Sequence, residues 1–327
     1  MSDSLKDLTI LVPSKNGLTR LKFLCDWLKA NHFDGCYLII DGTTNSQEAH
    51  FAEFEFVNYV HKADCNPVEA LTIGSKFIKS EFSTFLGDDD IPFLKNYKKL
   101  VGFLKSNSDY DSARGCSSYI NFDELSSREP LGRFAKLLFF SRTILSSRYD
   151  SNTNLDHKDG LDRLRAMSKT YIVNQFFITK SSIIKKLYNR EFSNLSDVHI
   201  SEYAFNLSHA LFARTRYIPI LYMVRGLANH RPNDNSDDIR HKMDISGKVE
   251  KELKLYVDSL NIESPIKPIM YRMILSKRYV SENSRLLRSS RNSAWWFFLY
   301  RANQVFFSLS HQTKERWALV FFKQNSN

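Results

Sequence analysis

Short apolar runs alternate with amphipathic segments through the first third of this 327-residue chain. Residues 8–13 form a nearly continuous apolar run, which predicts a strand buried on both faces. Residues 18–30 follow with Leu21, Leu24, Cys25 and Leu28 at helical spacing, which predicts an amphipathic helix. The same reasoning predicts strands at 37–40, 54–60 and 82–86, and helices at 67–79 and 91–105. Alternation of this kind favours an α/β fold, a mostly parallel sheet flanked by helices.

The rest of the chain predicts a second part of the sheet and a helical end. Strands are expected at 111–120, 171–178 and 217–224, and helices at 180–188 and 200–213. Residues 121–165 are weakly periodic and predict a helical and loop insertion, and residues 227–244 predict a polar loop. From residue 248 onward only helices are expected. We therefore predict one α/β domain over residues 1–245 and a helical C-terminal region over residues 246–327.

Three polar clusters follow predicted strands. They are residues 14–16, residues 41–42 and the acidic triplet Asp88, Asp89 and Asp90. The carboxyl ends of parallel strands meet at one edge of a sheet, where ligands of such folds bind. These clusters are therefore expected to form one ligand site.

The acidic triplet is poor material for a helix or a strand. Adjacent carboxylates raise one another's pKa unless a cation neutralises them. Hard cations such as Mg²⁺ and Mn²⁺ bind carboxylate oxygens and often share them with substrate phosphates. A solvated turn, with Asp90 capping the next helix, is the plain structural alternative, but the position beside two other polar clusters favours a metal site.

Composition narrows the class of protein. Of the formal net charge of +10, residues 250–327 carry an excess of +7, from 13 Lys and Arg against 6 Asp and Glu. The main domain is therefore nearly balanced, which argues against a nucleic-acid-binding face there. The polar N-terminus, the absence of a long apolar stretch and four cysteines without metal-site spacing predict a cytoplasmic protein.

The ordered set of motifs resembles a known family. Residues 12–16 (Val-Pro-Ser-Lys-Asn), Asp41, the helix at 67–79 and residues 85–90 (Phe-Leu-Gly-Asp-Asp-Asp) are similar to the motifs of inverting glycosyltransferases of family 2, which have the GT-A fold. The resemblance covers residues 5–105 well and residues 170–232 loosely. Leu71 and Thr72 stand where the family has an arginine in the helix before the acidic motif.

The resemblance implies a nucleotide-sugar donor and a divalent cation, Mn²⁺ or Mg²⁺. It implies that Asp41 hydrogen-bonds the base, that Asp88 faces the ribose and that Asp90 coordinates the metal. The residues implied in donor binding are Pro13, Ser14, Asn16, Arg20, Asp41, Asp88, Asp89, Arg225 and Arg231. Those implied in metal binding are Asp90, Asp88 and His230, although a histidine in a loop is as often merely solvated.

The resemblance also implies a carboxylate that deprotonates the acceptor hydroxyl. Residues 201–207 and 216–219 are similar to that part of the family. Glu202 is the nearest match, and Asp197 lies about one turn earlier. Both stay open as the base, because a carboxylate at a helix N-terminus also has a purely structural explanation.

The C-terminal region is basic and aromatic, with Trp295, Trp296 and Arg301 among its residues. That composition is typical of helices that lie at a membrane surface, although such aromatics more often pack on a domain or a dimer partner.

The predicted function is transfer of a sugar to a glycan or lipid-linked acceptor in surface polysaccharide or lipopolysaccharide synthesis, with the enzyme peripheral to the inner face of the membrane. The alternatives are a metal-dependent nucleotidyltransferase and a non-catalytic membrane-surface scaffold.

Overall fold

A computed structural model describes residues 4–120, 155–169, 172–226 and 247–275. In these ranges eight strands form one sheet in the order β3-β2-β1-β4-β7-β6-β8-β5. The strands are β1 (Leu8–Ser14), β2 (Cys36–Asp41), β3 (Val57–His61), β4 (Phe82–Phe85), β5 (Ile91–Pro92), β6 (Ser112–Ile120), β7 (Ile178–Lys180) and β8 (Thr215–Gly226). The α-helices are α1 (Leu18–Ala30), α2 (Pro67–Phe77), α3 (Leu94–Ser106), α4 (Gly160–Lys169), α5 (Ser181–Leu187), α6 (Arg190–Ser193), α7 (Val198–Phe212) and α8 (Gly247–Ser259), with a short 3-10 helix at Glu48–Phe51. The predicted fold class is confirmed.

The topology of the sheet determines which loops meet. Strands β1, β2, β3 and β4 are parallel, as are β6 and β8. β7 runs antiparallel between β4 and β6, and β5 runs antiparallel to β8 at the edge of the sheet. The carboxyl ends of β1, β2, β4, β6 and β8 therefore lie along one edge, and the residues that precede β5 and β7 come to the same edge.

The core has two layers, one on each face of the sheet. Along β1, Ile10 and Val12 pack with α1 and α3, whereas Leu11 packs with α2 on the opposite face. Alternation along a strand has this consequence because successive side chains point to opposite faces. The layer that contains α2 also contains α4, α5, α7 and α8.

The predicted helix over residues 91–105 is wrong at its start. Ile91 and Pro92 form β5, which pairs with Met223 and Val224 of β8, and the helix begins at Leu94. Proline has no backbone N–H to donate, so it is tolerated in an edge strand such as this one.

Two predicted strands are also shorter than expected. Only Ile178 of the predicted strand 171–178 is in β7, because the Asn174 N–H donates to Asn206 Oδ1 at 2.6 Å and the Phe177 N–H closes a turn onto Asn174. The third strand begins at Val57 rather than residue 54, after the turn closed by the Val57 N–H and the Phe54 carbonyl.

The described part of the C-terminal region is helical, as predicted, in α8 and in residues 266–275. Leu253, Tyr256 and Met270 are buried in the same core layer as α7. The predicted domain boundary stays a prediction, and most of the expected insertion and of the basic, aromatic region lies outside the described residues. No helix in the described ranges is long and apolar enough to cross a membrane.

Candidate active site

Asp88 is the centre of a polar cluster that joins three chain segments. Ser14, at the end of β1, donates its hydroxyl to Asp88 Oδ2 at 2.6 Å. Arg20, in the first turn of α1, donates Nε to Oδ1 at 3.1 Å and Nη2 to Oδ2 at 3.0 Å. The Asp88 side chain is 15% exposed and that of Arg20 is 34% exposed. A bidentate, partly buried ion pair fixes the carboxylate more firmly than an exposed ion pair would.

Gly17 makes this cluster possible. A Cβ atom at Gly17 would lie 2.1 Å from Asp88 Oδ2 and 2.2 Å from Ser14 Oγ. Both distances are far below van der Waals contact, so a side chain at this position would push the carboxylate and the hydroxyl away from the loop. Glycine is therefore required by close approach, since its φ of −100° suits any residue.

Asp90 links the acidic triplet to the end of β8. Its side chain is buried, and it accepts the Gly87 N–H at 2.8 Å and the Gly226 N–H at 3.2 Å. Burial raises the pKa of Asp90, while the charge of Arg225 opposes that shift. The Arg225 guanidinium itself lies 4.0 Å from the centroid of the Phe176 ring.

Asp89 is half-buried between two other carboxylates. Burial, followed by the negative charges of Asp90 and Asp88, raises the pKa of Asp89 to about 7. Its carboxylate lies against the backbone of Gly226, where a Cβ atom would come within 2.5 Å of Asp89 Oδ2. Within the triplet, Asp88 is ion-paired, Asp90 accepts backbone N–H groups, and the charge of Asp89 is only partly compensated.

Asp41, at the end of β2, is held entirely by protein groups. Asp41 Oδ1 accepts the Thr43 N–H at 2.8 Å and the Thr43 hydroxyl at 2.5 Å, and Oδ2 accepts the hydroxyl of Tyr59. The residue is 1% exposed. Burial and the bond to Asp41 raise the pKa of Tyr59 to about 12, so this phenol stays a neutral donor.

The loop after β1 is tied to the same network. Asn16 adopts a left-handed backbone with φ of 59°, and its N–H donates to Thr43 Oγ1 at 2.9 Å. The Gly42 N–H donates to the Ser14 carbonyl at 2.8 Å. Pro13 is half-buried and aligns with Ile40 of β2.

The two candidate bases lie at the start of α7. Asp197 is its N-cap residue, and one carboxylate oxygen accepts the N–H groups of His199 and Ile200, each at 2.9 Å. Glu202 is half-buried in the second turn. α7 contacts α2, α4 and α5, so both carboxylates are carried by a different layer from the acidic triplet.

The structure thus brings most of the predicted donor residues to one edge of the sheet: Pro13, Ser14, Asn16, Arg20, Asp41, Asp88, Asp89, Asp90 and Arg225. His230 and Arg231 lie outside the described residues. Sequence reasoning missed Gly17, Thr43, Tyr59 and Gly226. Of these, Thr43 had a signal, since an Asp followed two residues later by a hydroxyl residue is a common turn pattern.

The described residues contain no group of three His, Cys, Asp or Glu side chains arranged to hold a metal ion. Asp88 and Asp90 each have both carboxylate oxygens engaged by protein donors. Asp89, with its raised pKa, is the carboxylate of the triplet whose charge a bound cation would best compensate. This arrangement fits a cation held by one or two carboxylates and completed by substrate phosphates, rather than an all-protein metal cage.

Comparison with known proteins adds evidence on the fold. Neither a protein-family model nor a curated protein sequence matches the chain. Among solved structures, S. aureus TarS 1-349 matches with a TM-score of 0.53 and 11% identity, covering 95% of this chain and 77% of that one. The same fragment in complex with UDP-GlcNAc matches with a TM-score of 0.50 and 12% identity, covering 88% and 75%. A longer TarS structure matches with a TM-score of 0.50 and 12% identity, covering 87% of this chain but only 44% of its own length. At such identities the likeness shows a shared fold.

Proposed function

We propose that this chain is a glycosyltransferase that takes a sugar from a nucleotide-sugar donor. The observation that carries the proposal is that the ends of β1 and β8 meet the acidic triplet, which follows β4, and that Ser14, Gly226 and Arg20 of α1 contact its carboxylates. A structure with the same fold binds UDP-GlcNAc, which is a nucleotide sugar. The carboxyl edge of such a sheet is also where nucleotides bind in α/β folds in general.

In this proposal the cluster around Asp88 receives the nucleoside. Asp88 and Ser14 offer a carboxylate and a hydroxyl side by side, a pair suited to the hydroxyl groups of a ribose. Arg20 and Arg225 supply positive charge on two sides of the triplet for the diphosphate. Donor binding is then expected to loosen the Arg20–Asp88 pair.

The proposed divalent cation contacts Asp89, and the metal assignment to Asp88 and Asp90 that the family resemblance implies stays a prediction. Those two carboxylates already accept hydrogen bonds from Arg20, Ser14, Gly87 and Gly226. For Asp89, burial and the neighbouring carboxylates disfavour the charged form, which a bound cation would stabilise. When bound, a cation offsets the negative charge that develops on the leaving nucleotide diphosphate.

Glu202 is the proposed general base for the acceptor. The acceptor hydroxyl oxygen would attack the anomeric carbon, the bond from that carbon to the diphosphate oxygen would break, and the hydroxyl proton would pass to the carboxylate. Asp197 is the weaker choice because its carboxylate already caps α7. A glycan or lipid-linked acceptor of surface polysaccharide synthesis stays part of the proposal, and so does contact of the C-terminal region with a membrane.

Ligand-dependent thermal unfolding tests the proposal. We expect UDP, GDP or UDP-GlcNAc to raise the melting temperature, and to raise it further with Mn²⁺, because a ligand that binds only the folded state stabilises it by mass action. Asp89→Asn should remove the contribution of Mn²⁺ and retain part of that of the nucleotide.

Product analysis separates the alternatives. Release of UDP or GDP from the nucleotide sugar supports a glycosyltransferase, whereas release of pyrophosphate from a nucleoside triphosphate would indicate a nucleotidyltransferase. If no nucleotide changes the melting temperature, with or without Mn²⁺, the proposed function is wrong.

A further inference from the structure

We propose that Asp41 is a positioning residue, which sets the loop after β1 through Thr43 and does not itself contact the nucleobase. This inference rests on the proposed function for its effect on donor binding. Its structural part concerns only the link between β2 and that loop, so it can be tested without any nucleotide.

The surroundings of Asp41 leave little capacity for a ligand. A carboxylate offers about four lone-pair sites. Three are used here, by the N–H and hydroxyl of Thr43 and by the hydroxyl of Tyr59, and the residue is 1% exposed. Because Asp41 is almost fully buried, a base could contact it only if neighbouring groups moved, and displacing Thr43 or Tyr59 would leave a buried polar group without its partner.

The hydroxyl of Thr43 transmits this anchoring in a defined direction. A hydroxyl has one hydrogen, which Thr43 donates to Asp41 Oδ1, so its oxygen is left to accept. It accepts the Asn16 N–H at 2.9 Å. Because Asp41 accepts the hydroxyl hydrogen of Thr43, the hydroxyl oxygen is oriented to accept the hydrogen bond from the Asn16 N–H.

Asn16 is the point where the loop needs support. Its φ of 59° lies in the left-handed region, which non-glycine residues seldom adopt, although asparagine tolerates it better than most. The next residue, Gly17, passes so close to Asp88 and Ser14 that the loop can shift little without disturbing them. A continuous path therefore runs from β2 to the cluster around Asp88, through Asp41, Thr43, Asn16 and Gly17.

Tyr59 completes the arrangement on the other side of Asp41. Its hydroxyl donates to Asp41 Oδ2 and accepts the Gln47 N–H at 2.8 Å. The ring of Tyr59 stacks on Phe51, with a centroid distance of 5.5 Å. Asp41 thereby holds the segment after β2 at two points, Thr43 and, through Tyr59, Gln47.

The first experiment measures amide hydrogen exchange at Asn16 in the full chain without nucleotide. Thr43→Val removes the hydroxyl at nearly constant volume, and Thr43→Ser keeps it. We expect faster exchange at Asn16 in Thr43→Val, by ~10-fold for a lost hydrogen bond of ordinary strength, and wild-type exchange in Thr43→Ser. Unchanged exchange in Thr43→Val would overturn the proposal.

The second experiment measures the affinities of UDP and GDP by calorimetry. Positioning predicts that Thr43→Val weakens both nucleotides by the same factor, about 10-fold, and that Thr43→Ser restores both. Asp41→Asn should leave the ratio of the two affinities within about twofold of wild type, because bases that Asp41 does not contact are not distinguished by it.

The outcomes of the two experiments distinguish a failure of this proposal from a failure of the proposed function. A tenfold change in the UDP to GDP ratio in Asp41→Asn, without one in Thr43→Val, would show direct contact with the base and overturn the proposal. If the wild-type chain binds neither nucleotide, the proposed function fails, while the exchange of Asn16 still tests whether the hydroxyl of Thr43 holds the loop. Urea unfolding of each variant shows whether a loss of binding reflects a loss of folding.

Discussion

Three adjacent aspartates have three different environments in this site, because each carboxylate has different neighbours. Asp88 accepts a guanidinium and a hydroxyl, Asp90 accepts two backbone N–H groups, and Asp89 lies between them with a pKa raised to about 7. Hydrogen bonds to the charged form stabilise that form, whereas burial beside like charges opposes it. Their roles therefore differ although their residue type is the same.

Gly17→Ala tests whether the cluster around Asp88 depends on the close approach of the loop after β1. The new Cβ would meet Asp88 Oδ2 and Ser14 Oγ at little more than 2 Å, so we expect the carboxylate to be displaced. Nucleotide affinity should fall by more than ~10-fold, with a loss of ~1–3 kcal/mol in the free energy of unfolding. Calorimetric titration with UDP and urea unfolding measure the two effects.

Gly102→Ala is the matched control for that substitution. Gly102 lies within α3, and a Cβ there would meet nothing within 4 Å. It should raise the free energy of unfolding by ~0.5–1 kcal/mol, since alanine is the better helix former, and leave UDP affinity unchanged. Equal affinities for UDP in both variants and wild type would contradict the role given to Gly17.

At the residue scale the sequence predicted where the residues of the proposed donor site meet, but not which contacts each one makes. Asp41 was expected at the end of a strand, and it lies there. Its partner Tyr59 comes from the neighbouring strand 18 residues later, so the saturation of Asp41 depends on strand register and on a side-chain rotamer. Neither quantity is encoded in a local pattern of residue types.

Among the elements, α7 has both ends held by side chains. Asp197 accepts the first N–H groups, and Arg163 of α4 donates to the carbonyls of Ala210 and Leu211 near the other end, each at 2.7 Å. Helix ends leave such groups without intrahelical partners, and charges of these signs also favour the helix dipole. α7 carries both candidate bases, so its placement bears on the acceptor half of the proposed reaction.

Substitutions at Asp197 and Glu202 decide between the two candidate bases. Asp197→Asn keeps an oxygen that can cap α7, so its free energy of unfolding should stay within ~0.5 kcal/mol of wild type, whereas Asp197→Ala should lose ~1 kcal/mol. We expect Asp197→Asn to retain sugar transfer and Glu202→Gln to lower it by at least ~100-fold. Transfer that is lost in a fully stable Asp197→Asn variant would make Asp197 the base.

Arg163 is expected to be a strong determinant of stability. Its buried guanidinium also donates to the carbonyls of His157 and Lys158, at 2.6 and 2.8 Å. Arg163→Met should lower the free energy of unfolding by at least ~3 kcal/mol, because two buried and two partly buried carbonyls lose a charged donor at once. Arg163→Lys should recover less than half of that loss, since an ammonium cannot reproduce the planar fork. A loss below about 1 kcal/mol in Arg163→Met, measured by urea unfolding, would contradict this assignment.

Elements with strong local periodicity were predicted well, and those determined by distant partners were not. α1 has the predicted bounds because its buried residues recur every three or four positions. β5 is two residues long and exists through pairing with β8, more than 130 residues later in the chain. Residues 172–177 look like a strand by composition, but the Asn174 N–H donates to Asn206 and the Phe177 N–H closes a turn onto Asn174.

For the molecule as a whole, α7 brings three polar side chains into a largely apolar core layer. Asn206, Ser208 and His209 are each fully buried in it. The Nε2 atom of His209 lies 2.9 Å from Thr179 Oγ1 of β7, and its ring packs against Phe205 and Phe177. Thr179 in turn contacts Ser112 of β6 at 3.0 Å, so a polar path joins α7 to the antiparallel strand that divides the sheet.

His209 makes the stability of the whole fold depend on pH. Burial, assisted by the charge of Arg163, lowers the pKa of His209 from 6.5 to about 3. Between those two values the unfolded chain binds one proton more than the folded chain. The free energy of unfolding contributed by this residue is therefore intact above about pH 6.5 and is lost as the pH falls towards 3, by up to ~1.4 kcal/mol per pH unit.

His209→Gln isolates this contribution, because other groups titrate in the same range in both proteins and cancel in the difference. The variant should be less stable than wild type at about pH 7.5, since it replaces a packed ring. Its deficit should shrink by ~2 kcal/mol at about pH 5, where the wild type alone bears the cost of keeping His209 neutral. His50→Gln, at an exposed histidine, serves as the control and should follow the wild-type curve. Urea unfolding across this pH range measures all three proteins, and a deficit of His209→Gln that stays constant would mean that His209 is protonated in the folded chain.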